Sequence, residues 1–567
     1  MGTAGRRAAT ALGAVLFVLG AAAPLAGAVI GGDTPDAAAP AVPICHAKAE
    51  ADEAPPAPAQ AILAGYGSGG FAIATRSPEA QAYFNNGMQL AHAFAHRAAV
   101  SAFRRAEALD PTCAMCVWGE AWSRGPTINF SIKPGETAEL ARLADRAAGL
   151  AKGGPDTEAA LIAALRLRYQ GGGGKGPGDL AFARAMDAYA RAHPADDEAA
   201  VMAADAWMIP AALNNNRNHL GRARELLLAT LQRDPDQTGA IHFYIHATEM
   251  DGVGVLALPH ALKLQALAPH ASHLVHMPSH TYLWAGRFRM AEQSNIDAVK
   301  LDRANAIRLK TRGGVFGLVY HAHNVQFGIG AALLANDADG ALFLAKDEMA
   351  RMSEIKADDF YQQAVLGTAY FSYGRFADLK TVEALVDPGD RLPLDRVFRQ
   401  YAIGEAAARA GDLGALQAAI DAIPVDPDQS FGIKDRDDRI QARAMRDVAR
   451  RVLLGRAAML EHRYAAAVDA YRSATRIQDA RLTHLRDPPY WWYPVRRSLA
   501  AALLAQGDRA GALREVTTVL LGWPYDPVSL KLLSDISGDP GPAQETRLQQ
   551  AMANWTGDIR TLPAAQM

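Results

Sequence analysis

One spacing constrains this chain of 567 residues more than any other feature: small residues and prolines return with a period of 34. Ala223 is followed by Pro235, Ala257 by Pro269 and Ala291 by Ala298, three frames in phase. A unit of that length holds two helices and a turn, which cannot bury its apolar face until a neighbour stacks on it. Composition agrees, because hydrophobic residues make up 50% of the chain and aromatics only 7%. Ala and Leu therefore carry the apolar content, which favours closely packed helices over twisted sheet. The expected fold class is all-α.

The most complete frame lies upstream, in Gly87, Leu90, Ala99, Phe103, Ala106 and Pro111. Further copies are carried by Leu366, Gly367 and Tyr370; by Gly404 with Gly411 and Asp412; by Gly455, Tyr464, Ala467, Tyr471 and Ala474; and by Gly507, Asp508, Ala512, Trp523 and Pro524. On these residues the chain resembles the tetratricopeptide-repeat (TPR) family over 78–530. The resemblance implies an α-solenoid of helix–turn–helix pairs, with the first helix of each pair lining a concave groove that takes a protein or peptide. The phasing is poor at 126–180 and interrupted at 303–320 and at 424–447. Residues 531–567 read as a C-terminal tail.

The N-terminus reads as a processing segment. Arg6 and Arg7 precede an apolar run from Ala8 to Leu25, and Ala26, Gly27 and Ala28 supply small residues for cleavage after position 28. Residues 29–77, rich in Ala, Pro and Gly, read as a mobile arm. The expectation is an exported protein, periplasmic or secreted, with no transmembrane span after cleavage. Three cysteines stand at 45, 113 and 116. Cys45-His46 is no haem site, because Val42 occupies the first cysteine position of C-x-x-C-H. Gly171 to Gly174 with Lys175 is no nucleotide loop, since the Gly-x4-Gly-Lys-Ser/Thr order is missing. With 58 basic against 60 acidic residues the net charge is −2, which gives no footprint for nucleic acid.

Chemistry concentrates in one window. Nine of the 16 histidines lie between 242 and 323, far above an even spread. His242, His246 and Glu249 stand at i, i+4 and i+7, one stripe of a helix. His273, His276 and His280 occupy the equivalent stripe one repeat on, and His323 the stripe after that. Imidazoles four apart on helices that touch can share a divalent transition metal, zinc or copper foremost. Pro278 puts the angle between His276 and His280 in question, because it removes a helical N–H.

Three readings of this window stay open. One is a binding or scaffold protein with a metal in its groove, one a metal-free scaffold that docks peptide segments of envelope proteins, and one a metal-dependent hydrolase with Glu249 as ligand or base. No residue is assigned as catalytic. Cys113 and Cys116 form a thiol site or a local disulfide. Met115, Trp118, Trp122, Asp205, Trp491 and Trp492 are candidates for groove or partner contact, against packing for the aromatics and capping for Asp205.

Overall fold

The computed structural model describes residues 56–132, 135–173, 176–482, 489–538 and 541–567. The leader at 1–28, Cys45 and Lys175 lie outside the described residues. Helix follows helix in short-looped pairs, with no strand among the described residues. The architecture is a TPR-like α-solenoid. Each helix packs on its neighbour in sequence, the pair Pro78–His92 and His96–Leu109 on Ala114–Ser123 and so onward.

The period has a steric cause. A methyl group on Gly87 would stand 2.6 Å from the Phe103 ring, and one on Gly119 only 2.4 Å from it. Phe103 is fully buried between these two helices, a burial worth about 1.5–3 kcal/mol. The same fit recurs far along the chain, where a methyl on Gly455 would meet Tyr471 at 2.4 Å. Ala223, Ala257 and Ala291, the in-phase residues, are all fully buried.

The solenoid runs through the stretches where the pattern fails. Thr137–Leu150, Asp156–Gln170 and Pro177–Ala192 continue the stacking across 126–180, held partly by a buried Arg168–Asp179 ion pair of 2.9 Å. At 303–320 the helix Phe288–Arg308 runs to 21 residues before a 3-10 turn at Gly314–Gly317. At 424–447 a loop leads into the 25-residue helix Arg436–Leu460. Among the described residues no helix is long and apolar enough to cross a membrane.

Both ends of the described chain depart from the loose segments expected there. Within 56–77 the backbone is pinned: Ala59 N–H donates to the Ser101 carbonyl at 2.8 Å and His270 N–H to Gly65 at 2.9 Å, and Thr238 Oγ1 accepts from Ser68 N–H at 2.8 Å. Tyr66 and Ile73, both in this strap, are buried. In place of a tail from 531, the helix Pro527–Ser537 runs on and Pro542–Ala553 packs against it. Trp555, Ile559 and Met567 are then buried. Apolar side chains in both segments found a surface to cover, which composition alone could not reveal.

Candidate metal centre

Three consecutive repeats build the centre. The helix Thr238–Met250 carries His242 and His246, and the next first helix carries His273, His276 and His280. His321–Ala335 carries His323. All six imidazoles are buried. They fall into two sets, His242 with His246 and His273, and His276 with His280 and His323; within each set the ligand atoms lie within 4.8 Å of one another. The sequence pattern places one stripe on each repeat, whereas each set here draws its histidines from two neighbouring repeats.

Pro278 does not spoil the geometry. It splits the helix into Ser272–His276 and Pro278–Trp284, but Met277 between them keeps helical angles, φ −51° and ψ −36°. His276 Nε2 and His280 Nε2 therefore meet at 2.9 Å. In the other triad His242 Nε2 and His273 Nε2 stand 3.2 Å apart.

Neighbouring groups fix which ring atom points inward. His242 Nδ1 donates to the His92 backbone carbonyl at 2.7 Å. A carbonyl can only accept, so the hydrogen sits on Nδ1 and the lone pair on Nε2. His280 Nδ1 lies 2.7 Å from Glu249 Oε2 and His276 Nδ1 lies 2.6 Å from Asn295 Oδ1, with the same consequence. Acceptors of this kind orient imidazoles that bind metal and raise their basicity. Glu249 thus acts on the outer edge of His280 and is not a seventh inward donor.

Burial keeps four of the six rings neutral, those of His242, His246, His273 and His276. It pushes His242 down to about 3, and together with like charge from neighbouring imidazoles it holds His246, His273 and His276 well below the ordinary histidine value. Neutral imidazole is the form that binds a metal. Each triad also has an aromatic wall. Phe94 lies 4.5 Å from His242 and 5.1 Å from His273 between ring centres, while Phe327 lies 4.4 Å from His280 and 5.2 Å from His323. Phe94 is held there by a left-handed turn, φ 55°, between the first two helices.

A second polar cluster sits behind the first triad. His92, whose carbonyl orients His242, pairs through its ring with Glu198. Burial opposes a charge on His92, yet the Glu198 carboxylate, with Asp205 beyond it, holds its pKa above the ordinary value. Burial in turn lifts Asp205 to about 6. Asp205 therefore belongs to this supporting cluster, outside both triads. His321 is also outside them, with Nδ1 at 3.0 Å from Asp302.

The remaining expected contact residues are mostly interior. Met115, Trp118 and Trp122 are buried; Trp118 Nε1 donates to Leu161 at 3.2 Å, and Trp122 meets the His92 ring edge-on. They offer a partner no surface, because their helix is packed on both sides. Trp491 is enclosed by Phe371 and Tyr401. Trp492 carries Arg497 over its ring at 4.8 Å and lines a cleft with Trp284, Trp523 and Tyr525. Cys113 and Cys116 are joined as a disulfide.

Sequence reading missed His92, Phe94, Asn295 and Phe327. Phe327 was within reach, since it stands four residues after His323 on the same helix. His92 and Phe94 were not, because they come from repeats far upstream.

No protein-family model matches the chain, and no curated protein matches it. Similar solved structures include the APC/C hetero-tetramer Cut9–Hcn1, 13% identical over 82% of this chain and 78% of that one, with a TM-score of 0.26. A human IFIT1 dimer with PPP-AAAA is 12% identical over 80% and 92%, with a TM-score of 0.30. The TPR domain of P58(IPK) is 14% identical over 59% and 93%, with a TM-score of 0.16. Likeness at this level carries no argument, so what the chain does has to be argued from its own residues.

Proposed function

We propose that this protein is an exported solenoid scaffold that holds a transition metal on the face formed by its central first helices. The observation that carries the reading is the pair of buried triads whose ligand atoms lie within 4.8 Å of one another. Neutral nitrogen donors, oriented from outside by carbonyl and carboxylate acceptors, suit zinc, copper, nickel or iron. Export is supported by the leader-like N-terminus and by the Cys113–Cys116 disulfide, a bond that persists in oxidising compartments. A hydrolytic role gains nothing from Glu249, whose carboxylate is engaged at His280 Nδ1, on the far edge from the inward Nε2.

The test is elemental analysis of the protein purified without a tag and without chelator. We expect one equivalent or more of a transition metal, lost in His242→Ala and His276→Ala while the helical circular-dichroism spectrum persists. Protein that arrives metal-free and takes up none of these ions would sink the reading. The scaffold would then be a peptide binder, for which one observation speaks: a wide cleft beside the strap, lined by Ser101, Asn305 and Arg308. N-terminal sequencing of the mature protein tests export, which predicts a start after Ala28.

A further inference from the structure

The two triads adjoin each other. Across the gap between them, His246 and His280 have ring centres 5.5 Å apart and His273 and His276 are 5.7 Å apart. Within the triads ring centres stand between 4.7 Å, for His276–His323, and 6.3 Å, for His246–His273, so the spacings across the gap fall inside the same range. Two ions seated in these sets would therefore be neighbours, as they must be to share one small ligand, which pairs of ions do at roughly 3.5–4 Å. His276 and His280 both have Nδ1 turned to an acceptor, so their Nε2 atoms face each other at 2.9 Å.

Donor chemistry narrows the metal. All six inward donors are imidazoles, and Glu249 reaches only the back of His280. The ligand atoms themselves carry no charge against two dications, with Glu249 offering one negative charge from behind His280, and burying uncompensated charge is expensive. Nitrogen donors favour copper over the other first-row ions, and copper alone among the candidates has a stable monovalent state that halves the charge to be buried. Phe94 and Phe327 make the walls dry. Three donors per ion also leave each ion an open side.

We propose that the six histidines form one dinuclear copper centre, His242, His246 and His273 holding one ion and His276, His280 and His323 the other, with dioxygen binding between the two. The proposal rests on the metal-binding reading above and goes beyond it in ion number, identity and ligand. Each copper(I) gives one electron to dioxygen, leaving two copper(II) ions and a bound O2 carrying both electrons. The oxygen–oxygen bond stays intact. The pair changes from two positive charges to four while the ligand gains two negative ones. The buried net charge is thus unchanged, and no proton or counter-ion has to enter. That conservation suits a site with aromatic walls.

The experiment loads the metal-free full-length protein with copper(I) under nitrogen, measures copper per chain, and then admits air while optical and electron paramagnetic resonance (EPR) spectra are recorded. Support would be two copper ions per chain, an intense near-ultraviolet band that grows with oxygen, and near-complete loss of the copper(II) EPR signal because the two spins pair. In His323→Ala, copper should fall to one per chain, the band should vanish and an EPR signal should appear; His323→Gln, which keeps more of the side-chain volume, gives the same reading if the alanine variant misfolds. Two coppers with a full, uncoupled EPR signal would overturn the pair while leaving metal binding intact. Stoichiometric zinc with no uptake of copper would overturn the choice of ion and the oxygen chemistry. Uptake of no metal at all would remove this proposal together with the function it rests on.

Discussion

The central and C-terminal repeats share one packing scheme and fill their interiors in opposite ways. In the C-terminal repeats the first helices face other parts of the chain. Trp491 fits between Phe371 and Tyr401, Arg456 reaches Glu405 at 3.0 Å and the carbonyls of Ala565 and Met567, and Arg497 pairs with Asp526 at 2.9 Å, both buried. Every one of those charges is answered by the protein itself. In the central repeats the first helices turn six imidazoles toward one another in two close sets. The contrast teaches where a ligand is to be sought: a solenoid interior completed by its own terminal segment is structural, and one that gathers close sets of imidazoles is the candidate site.

The largest effect expected is at Arg456. Arg456→Ala strands the Glu405 carboxylate and two backbone carbonyls, and breaking a buried ion pair costs about 3–5 kcal/mol. Urea unfolding should show that loss with metal content per chain unchanged; a parallel loss of metal would break the division between the two regions.

Acid should act in the reverse direction, on the central repeats. His242 is held near 3 when folded by burial, against 6.5 when exposed, so the unfolded chain takes up its proton first as the pH falls. The metal-free protein should keep this contribution above about pH 6.5 and lose it progressively toward pH 3. Urea midpoints at pH 7, 5 and 4 would check it, and a flat profile would mean that the rings are not buried as described. Bound metal should shift the whole loss to lower pH, because the ion competes with protons for the same lone pairs.

Glu249→Ala sharpens the comparison further by removing the acceptor at His280 Nδ1 while sparing every inward donor. Metal affinity should fall about 10–100-fold, read by competition with a chelator, at little cost to the urea midpoint. An unchanged affinity would demote Glu249 to a bystander. The smallest effect belongs to the strap: Thr238→Val loses the hydroxyl bonds to the Ser68 backbone, worth about 1 kcal/mol. Limited proteolysis should then cut within 56–77 sooner, with the metal still bound.

Much of this molecule was legible from its sequence because packing in a solenoid is local. Gly87 and Gly119 have to be small since each touches Phe103 a helix away, so the constraint repeats at short range and shows as a period. The same locality put His242 with His246 and His276 with His280 on shared stripes. It failed wherever the interaction spans many repeats. Phe94 approaches His273 across about five repeats' worth of chain, and the strap from Ser68 ends on Thr238, contacts that leave no periodic trace.

Sequence alone determined the all-helical solenoid, the close approach of paired helices and the six imidazoles of the centre. Tertiary structure decided how those imidazoles divide, which edge of each ring faces inward and which surfaces the two ends of the described chain would cover. The physical reason is the range of the forces concerned. Helix period and small-residue contacts act within one or two repeats, whereas a hydrogen bond such as that from His242 Nδ1 to the His92 carbonyl depends on how several repeats add up in space.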